Sequence, residues 1–390
     1  MGSNEQGMGR RSFLQGAALA SVGAVALTGS AGAADAPAAA APAAQKAAAV
    51  GAKKLEEVLK VAREKLYPRC RVCPECDGQA CAGEVPGMGG IGSGMSFRNN
   101  FSALQGLHLR MRTLHDVSRP EVATTLLGER LEIPILCASL GGTTYNMGGK
   151  MSEEDFIEAS LGGARLAGTM GLVADGTEDP LETYKIRLAA IQRNRGLAVI
   201  KPRAQQDIIE RMRLVEEAGA LAVMVDVDSA GRAARAAKLG QVIEPKTHKQ
   251  LRELVKATRL PFFVKGVMTV EEARAAVDSG AAGIVVSNHG GRCLDHTPGT
   301  AAVLPKISDA VRGKLVVLAD GGIRYGADVL KMLALGADAV LVGRPIIRGA
   351  HGGGAEGVAL ILDKLKRELV EAMTLTGVPS VRKVERSILA

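Results

Sequence analysis

From Leu131 onward the chain repeats one unit eight times: a short apolar run, then an amphipathic stretch of helical period. The apolar runs cover 133–139, 169–174, 197–201, 221–227, 261–265, 282–287, 315–319 and 339–342. The helical stretches cover 153–166, 180–193, 205–218, 248–256, 270–278, 301–311, 326–335 and 356–373. Strict alternation of strand and helix implies parallel pairing through right-handed crossovers. Eight such units predict an α/β fold closed into a TIM barrel over residues 109–390, preceded by an N-terminal extension. Hydrophobic residues make up 47% of the chain, enough to fill such a core.

In a barrel of this kind, side chains at the C-terminal strand ends and on the loops after them meet at one mouth. Here those ends carry Asp226 (fourth strand), Lys265 (fifth), His289 (sixth), Asp320-Gly321-Gly322-Ile323-Arg324 (seventh) and Gly343-Arg344 (eighth). The stretch from Ile284 reads IVVSNHGGRCLDHTP. A buried strand runs there into a turn bearing His289, two glycines and Arg292. The glycines admit close backbone approach, the His accepts a proton near neutral pH, and the Arg grips a carboxylate or phosphate with two prongs. Glycines and arginines after the last two strands form this fold's usual phosphate corner.

The N-terminus reads as an address. Arg10-Arg11-Ser12-Phe13-Leu14-Gln15 precedes an apolar run and Ala31-Gly32-Ala33, the layout of a twin-arginine export signal over residues 1–33. The expected destination is the periplasm or cell envelope. The apolar run is too short for a stable membrane span. Residues 34–50, rich in Ala and Pro, read as a disordered linker. Residues 51–108 hold a helix, a cysteine cluster and a glycine-rich loop. Cys70, Cys73, Cys76 and Cys81 have a spacing that suits an iron–sulfur cluster or zinc. In an exported chain, disulfides remain an alternative, as do free thiols. Gly87-Met88-Gly89-Gly90-Ile91-Gly92 matches G-x-G-x-x-G, but it follows a Pro and opens no evident helix. It reads as a flexible loop rather than a dinucleotide turn. The net charge of +8 comes from interspersed acids and bases with 3% aromatics, which argues against a nucleic-acid partner.

Residues 109–350 resemble the FMN-dependent α-hydroxy acid oxidases and dehydrogenases. The resemblance is carried by Asp116-Val-Ser, Thr124 to Gly128, Pro134-Ile, Val264-Lys-Gly266, Gly280 to Gly283, Ser287 to Asp295, Asp320 to Arg324 and Gly343-Arg344. It implies an FMN-binding barrel that oxidises a small 2-hydroxy acid to a 2-oxo acid. His289 would take the proton, Asp226 would stabilise the imidazolium, and Arg292 would bind the substrate carboxylate. Lys265, Ser287, Asp320, Gly321, Gly322, Arg324, Gly343 and Arg344 would hold FMN, with backbone help from Ala138 and Ser139. A Lys at the position of Lys265 puts positive charge beside a reduced, anionic flavin ring.

The chain also departs from the family pattern. Ala138-Ser139-Leu140 replaces Pro-Thr-Ala, and Ala174-Asp175 replaces a Ser pair. Lys201-Pro202-Arg203 replaces Gln-x-Tyr, Met224 replaces a Thr, and Cys293 replaces a Gln. Arg232 lies near the place of a second substrate arginine; the family's N-terminal substrate tyrosine has no direct counterpart, and Tyr67 or Tyr145 could substitute for it. Two alternatives stay open: an FMN-dependent isomerase resembling type 2 isopentenyl diphosphate isomerase, which lacks the His-Gly-Gly-Arg turn, and a flavin-binding redox protein without hydroxy-acid turnover. The particular hydroxy acid, the electron acceptor and any homo-oligomer are left open by the residues alone.

Overall fold

The computed structural model of the chain describes residues 40–85, 87–177 and 180–390. The export signal over 1–33 lies outside the described residues. The chain divides into Met1–Val50 and Gly51–Ala390. Helix α1 spans Ala40–Leu66. It therefore begins inside the stretch that composition assigns to a linker. The correction has a simple cause: alanine, which makes that stretch low in complexity, is also the best helix former. Among the described residues no helix is long and apolar enough to cross a membrane.

Helix α2 (Met95–Gln105) is followed by a hairpin of β1 (Thr124–Leu126) and β2 (Glu129–Leu131). The barrel strands are β3 (Ile135–Cys137), β4 (Gly171–Ala174), β5 (Gly196–Ile200), β6 (Val223–Asp226), β7 (Phe262–Val267), β8 (Gly283–Val286), β9 (Val316–Ala319) and β10 (Ala339–Val342). They pair in sequence order, all parallel, and β10 closes on β3. The predicted (β/α)8 barrel is thus observed, strand for strand. Between the strands run α3 (Thr143–Asn146), α4 (Glu153–Leu166), α5 (Leu181–Asn194), α6 (Gln205–Glu217), α7 (Ala233–Ala237), α8 (His248–Lys256), α9 (Val270–Asp278), α10 (Thr300–Val311) and α11 (Gly326–Ala334). Helix α12 runs Arg344–Thr376 and is interrupted at Gly353 and Gly354. Its first part precedes the helix that periodicity places at 356–373, because the glycines there hide the helical pattern.

Two apolar layers follow from strand alternation, which sends successive side chains to opposite faces. One set fills the barrel interior: Leu136, Leu172, Val199, Met224, Phe263, Val285, Leu318 and Leu341, with Leu126 and Leu131 of the hairpin packed against it. The neighbours Ile135, Val173, Ile200, Val225, Val264, Ile284, Val317 and Val340 join the layer that packs against the helices. Each large side chain so buried contributes about 1.5–3 kcal/mol. Two residues beyond each interior residue stand Ala138, Ala174, Lys201, Asp226, Lys265, Ser287, Asp320 and Gly343. The period of two therefore turns all eight toward the axis, as the top tier of the interior.

Among the described residues of Gly51–Ala390, the segment before the barrel and the barrel form one compact unit. Leu109 bridges Leu389, and the amide of Ala390 donates to the carbonyl of His108. The glycine-rich loop is packed, not flexible. Gly87 to Gly90 are buried, the Ile91 amide donates to the Gly291 carbonyl at 2.8 Å, and Arg344 Nε donates to the Met88 carbonyl at 2.8 Å. Local composition signals a loop correctly, but the partners that fix it lie about two hundred residues away.

Candidate active site

Asp226 is 1% exposed at the end of β6 and gathers three cations. Lys201 Nζ donates to Oδ2 at 2.5 Å, Lys265 Nζ donates to Oδ1 at 2.8 Å, and His289 Nδ1 lies 3.4 Å from Oδ2. Ser229 Oγ donates to the same carboxylate at 3.0 Å. Burial alone would raise the Asp226 pKa, but Lys201, Lys265 and His289 outweigh it and hold the group well below the usual carboxylate range. Those three partners and the serine cover the desolvation cost of the buried charge.

His289 sits in a turn of left-handed backbone: φ is 58° at His289, 63° at Gly290 and 77° at Gly291. The Asn288 side chain anchors this turn. Its Oδ1 accepts from Asn100 Nδ2 at 2.7 Å and from the Gly291 amide at 3.1 Å. A Cβ on Gly291 would lie 2.4 Å from the backbone nitrogen of Phe97, so glycine is required there by both backbone angle and space. Helix α2 thus lies directly against the turn.

The nearer acid to His289 is Asp228, with Oδ1 3.0 Å from Nδ1. Asp228 belongs to a 3-10 turn, Val227–Arg232, that rests on Gly266 of β7. Gly266 has φ +100°, and a Cβ there would meet the Asp228 Cβ at 2.7 Å. A carboxylate only accepts hydrogen bonds, so Nδ1 carries the proton and Nε2 carries the lone pair in the neutral ring. Burial opposes the charged ring, yet Cys293, Asp226 and Asp228 outweigh it and push the His289 pKa up to about 10.

One cleft opens above this tier, with a volume of about 1120 Å³ including its open mouth. Ala138, Ser139, Lys265, His289, Arg292, Asp320, Gly321, Gly322, Arg324, Gly343 and Arg344 line it. Asp226 and Ser287 stand behind the wall: Asp226 under Lys201 and Lys265, Ser287 donating to Asp320 Oδ2 at 2.9 Å. Tyr145, not the exposed Tyr67, lines the cleft, and Arg232 does as well. Arg292 Nη2 donates to Asn146 Oδ1 at 2.7 Å, and Nη1 donates to the Gly87 carbonyl. Burial, with Arg232 and Arg344 nearby, draws its pKa down to about 9. An anion arriving beside it relieves that strain.

Three residues that the sequence flagged only as departures prove to be wired into the site. The Lys201 amide donates to Asp175 Oδ1 at 2.6 Å, and Arg203 Nε donates to Asp175 Oδ2 at 2.5 Å. Lys201, Asp175 and Arg203 form one buried chain of charges ending on Asp226. Asp228 escaped the sequence reading altogether. Its only signal was its place two residues beyond the strand-end Asp226, on a turn with no periodicity.

The chain matches the model of a family described as FMN-dependent dehydrogenase over residues 87–249 and 232–390. It belongs to that family. It is 31% identical to a peroxisomal (S)-2-hydroxyacid oxidase of Arabidopsis thaliana over 332 residues, covering 77% of this chain and 89% of the relative. It is 34% identical to a 2-hydroxyacid oxidase of Dictyostelium discoideum over 330 residues, covering 76% and 82%. Among solved structures, mandelate oxidase superposes with a TM-score of 0.71 at 30% identity, covering 86% of this chain and 97% of that one. A flavocytochrome b2 variant with pyruvate bound superposes at 0.68 with 27% identity, covering 77% and 80%.

The cleft fits the family's cofactor by its own chemistry. Asp320 Oδ1 and Arg324 Nη2 are buried atoms with no hydrogen-bond partner among the described residues, and both residues line the cleft. An unpaired acceptor and an unpaired cationic donor suit a hydroxylated chain ending in phosphate. FMN would be held by Asp320, Gly321, Gly322, Arg324, Gly343 and Arg344 at its phosphate side, and by Lys265, Ala138 and Ser139 at its ring side.

Proposed function

We propose that this chain oxidises a small 2-hydroxy acid to its 2-oxo acid within the FMN-lined barrel mouth, and that it does so outside the cytoplasm. The observation that carries the reaction is the placing of His289. Its Nδ1 is tied to Asp228 and Asp226, and the ring lines the cleft beside Lys265 and Arg292. Bound FMN supplies the two-electron acceptor. Arg292, with Arg232 on the same wall, holds the substrate carboxylate. His289 takes the substrate proton at Nε2, and the two aspartates stabilise the resulting imidazolium. Lys265 supplies positive charge at the ring side. The twin-arginine pair Arg10-Arg11 and the apolar run after it support the exported location.

The test is anaerobic mixing of the holoprotein with a panel of 2-hydroxy acids. Bleaching of the flavin, with one equivalent of 2-oxo acid formed, is the expected result. Holoprotein whose flavin no 2-hydroxy acid reduces would overturn the reading. Released cofactor should be FMN, and recovery of FAD would contradict the single phosphate corner. For the location, cell fractionation should recover the processed chain with the periplasm.

A further inference from the structure

The cysteine segment supplies no side chain to the flavin cleft, yet the fold presses it against that cleft. Cys70, Cys73, Cys76 and Cys81 line one small cavity together with Met88, Arg344 and Arg348. Met88 and Arg344 also line the large cleft, so the two cavities share a wall. None of the four cysteines is in a disulfide.

The loop is pinned to the barrel by Arg324 of the phosphate corner and by Arg348 of α12. Arg324 Nε donates to the Cys76 carbonyl at 3.1 Å, and Arg348 Nη1 donates to the Cys73 carbonyl at 3.3 Å. The Val72 amide donates to Cys70 Sγ at 3.4 Å, which fixes that sulfur in the cavity wall. Arg348 Nε is buried and has no hydrogen-bond partner among the described residues. Four thiols and the guanidiniums of Arg71, Arg344 and Arg348 line this cavity, against the two carboxylates of Glu75 and Asp77, and so suit a group that takes thiolates and keeps net negative charge.

We propose that Cys70, Cys73, Cys76 and Cys81 ligate a [4Fe–4S] cluster in this cavity, next to the flavin cleft. The spacing of the sulfurs chooses the cluster over a single metal ion. Tetrahedral zinc holds its thiolates at about 2.3 Å, hence within about 4 Å of one another. Among the described residues, the trio of ligand atoms lying within 4.8 Å of one another is that of Asp228, His289 and Cys293, and no trio of the quartet meets that spacing. A cubane, with its four thiolates on four separate irons, spreads its ligands more widely. The arginines suit the same assignment, since a four-thiolate cluster is anionic and they offset its charge without ligating it.

The experiment uses the full chain, purified anaerobically and reconstituted with ferrous iron and sulfide. Iron, acid-labile sulfide, zinc and FMN are counted separately. About four irons and four sulfides per chain are expected, with a broad charge-transfer absorption and a paramagnetic signal on reduction. Cys73→Ser and Cys76→Ser, made separately, should each lose at least half of the iron and keep one FMN per chain. Stoichiometric zinc, or FMN-replete wild-type protein holding less than one iron after reconstitution, would overturn the proposal. Iron fully retained when all four cysteines are serine would do the same. A chain that holds the cluster but no FMN supports the proposal and counts against the flavin reading instead.

Discussion

His289 Nδ1 lies 3.0 Å from Asp228 Oδ1, closer than its 3.4 Å to Asp226. Asp226 is shared with two lysines, whereas the histidine is the charged partner in hydrogen-bond range of Asp228. Asp228 therefore holds the tautomer, and Asp226 sets the field. The His289 pKa is pushed up to about 10, so lowering the pH through that value protonates the base and slows flavin reduction. Asp228→Asn removes one source of that upward push. Its pH–rate curve for flavin reduction should shift to lower pH, with a smaller plateau because the ring is less well held. Rapid-mixing kinetics across pH would check this; an unmoved curve would leave Asp228 with no part in the base.

His289→Asn should still bind FMN, since the phosphate corner lies on the loops after β9 and β10. Substrate-driven flavin reduction should fall by at least roughly a hundredfold, the usual contribution of a positioned acid–base group. Near wild-type reduction by an FMN-loaded variant would make His289 structural.

Lys201→Met leaves Asp226 with Lys265, Ser229 and the more distant His289. Loss of one charge-assisted hydrogen bond should cost about 2–3 kcal/mol of stability, read by chemical unfolding. Removing a cation near the histidine should also raise the His289 pKa. The pH–rate curve should then move in the direction opposite to that for Asp228→Asn. Parallel shifts in the two variants would contradict the arrangement.

Lys265→Met keeps Asp226 paired with Lys201 but removes the cation that lines the cleft at β7. Flavin reduction should slow, and sulfite, which adds to the flavin and needs its negative charge balanced, should bind at least tenfold more weakly, as about 1.4 kcal/mol of lost electrostatic stabilisation predicts. Titration of the flavin spectrum with sulfite measures it directly.

Gly291→Ala puts a Cβ into a left-handed turn at φ +77° and within 2.4 Å of the Phe97 nitrogen. The backbone conformation alone costs about 1–2 kcal/mol, and the clash adds to it. A lowered melting temperature and loss of substrate-driven reduction are expected, because the turn that carries His289 must move away from α2.

Residues at the strand ends were legible because the period of two that buries Met224, Phe263 and Leu318 also aims Asp226, Lys265 and Asp320 at the axis. The His-Gly-Gly-Arg turn was legible as chemistry, though not its anchoring. Asn100 holds Asn288 from 188 positions away, a pairing to which local pattern is blind. Asp228 was invisible for a different reason: it lies on a short 3-10 turn whose orientation is fixed by Gly266 on another strand. Lys201 showed only as an unexpected residue, because a charge pair across two strands leaves no periodic trace in either.

The docking of α2 on the His289 turn also sets an order of assembly. Ser96 Oγ donates to the Leu294 carbonyl across 198 positions, and the Thr300 amide donates to Asn100 Oδ1 across 200. Closing loops of that length is expected to come later in folding than the shorter strand–helix–strand units. The segment made early in synthesis waits until β8 and its turn exist, then settles over them. The reactive centre is finished by the part of the chain that is made early and placed last.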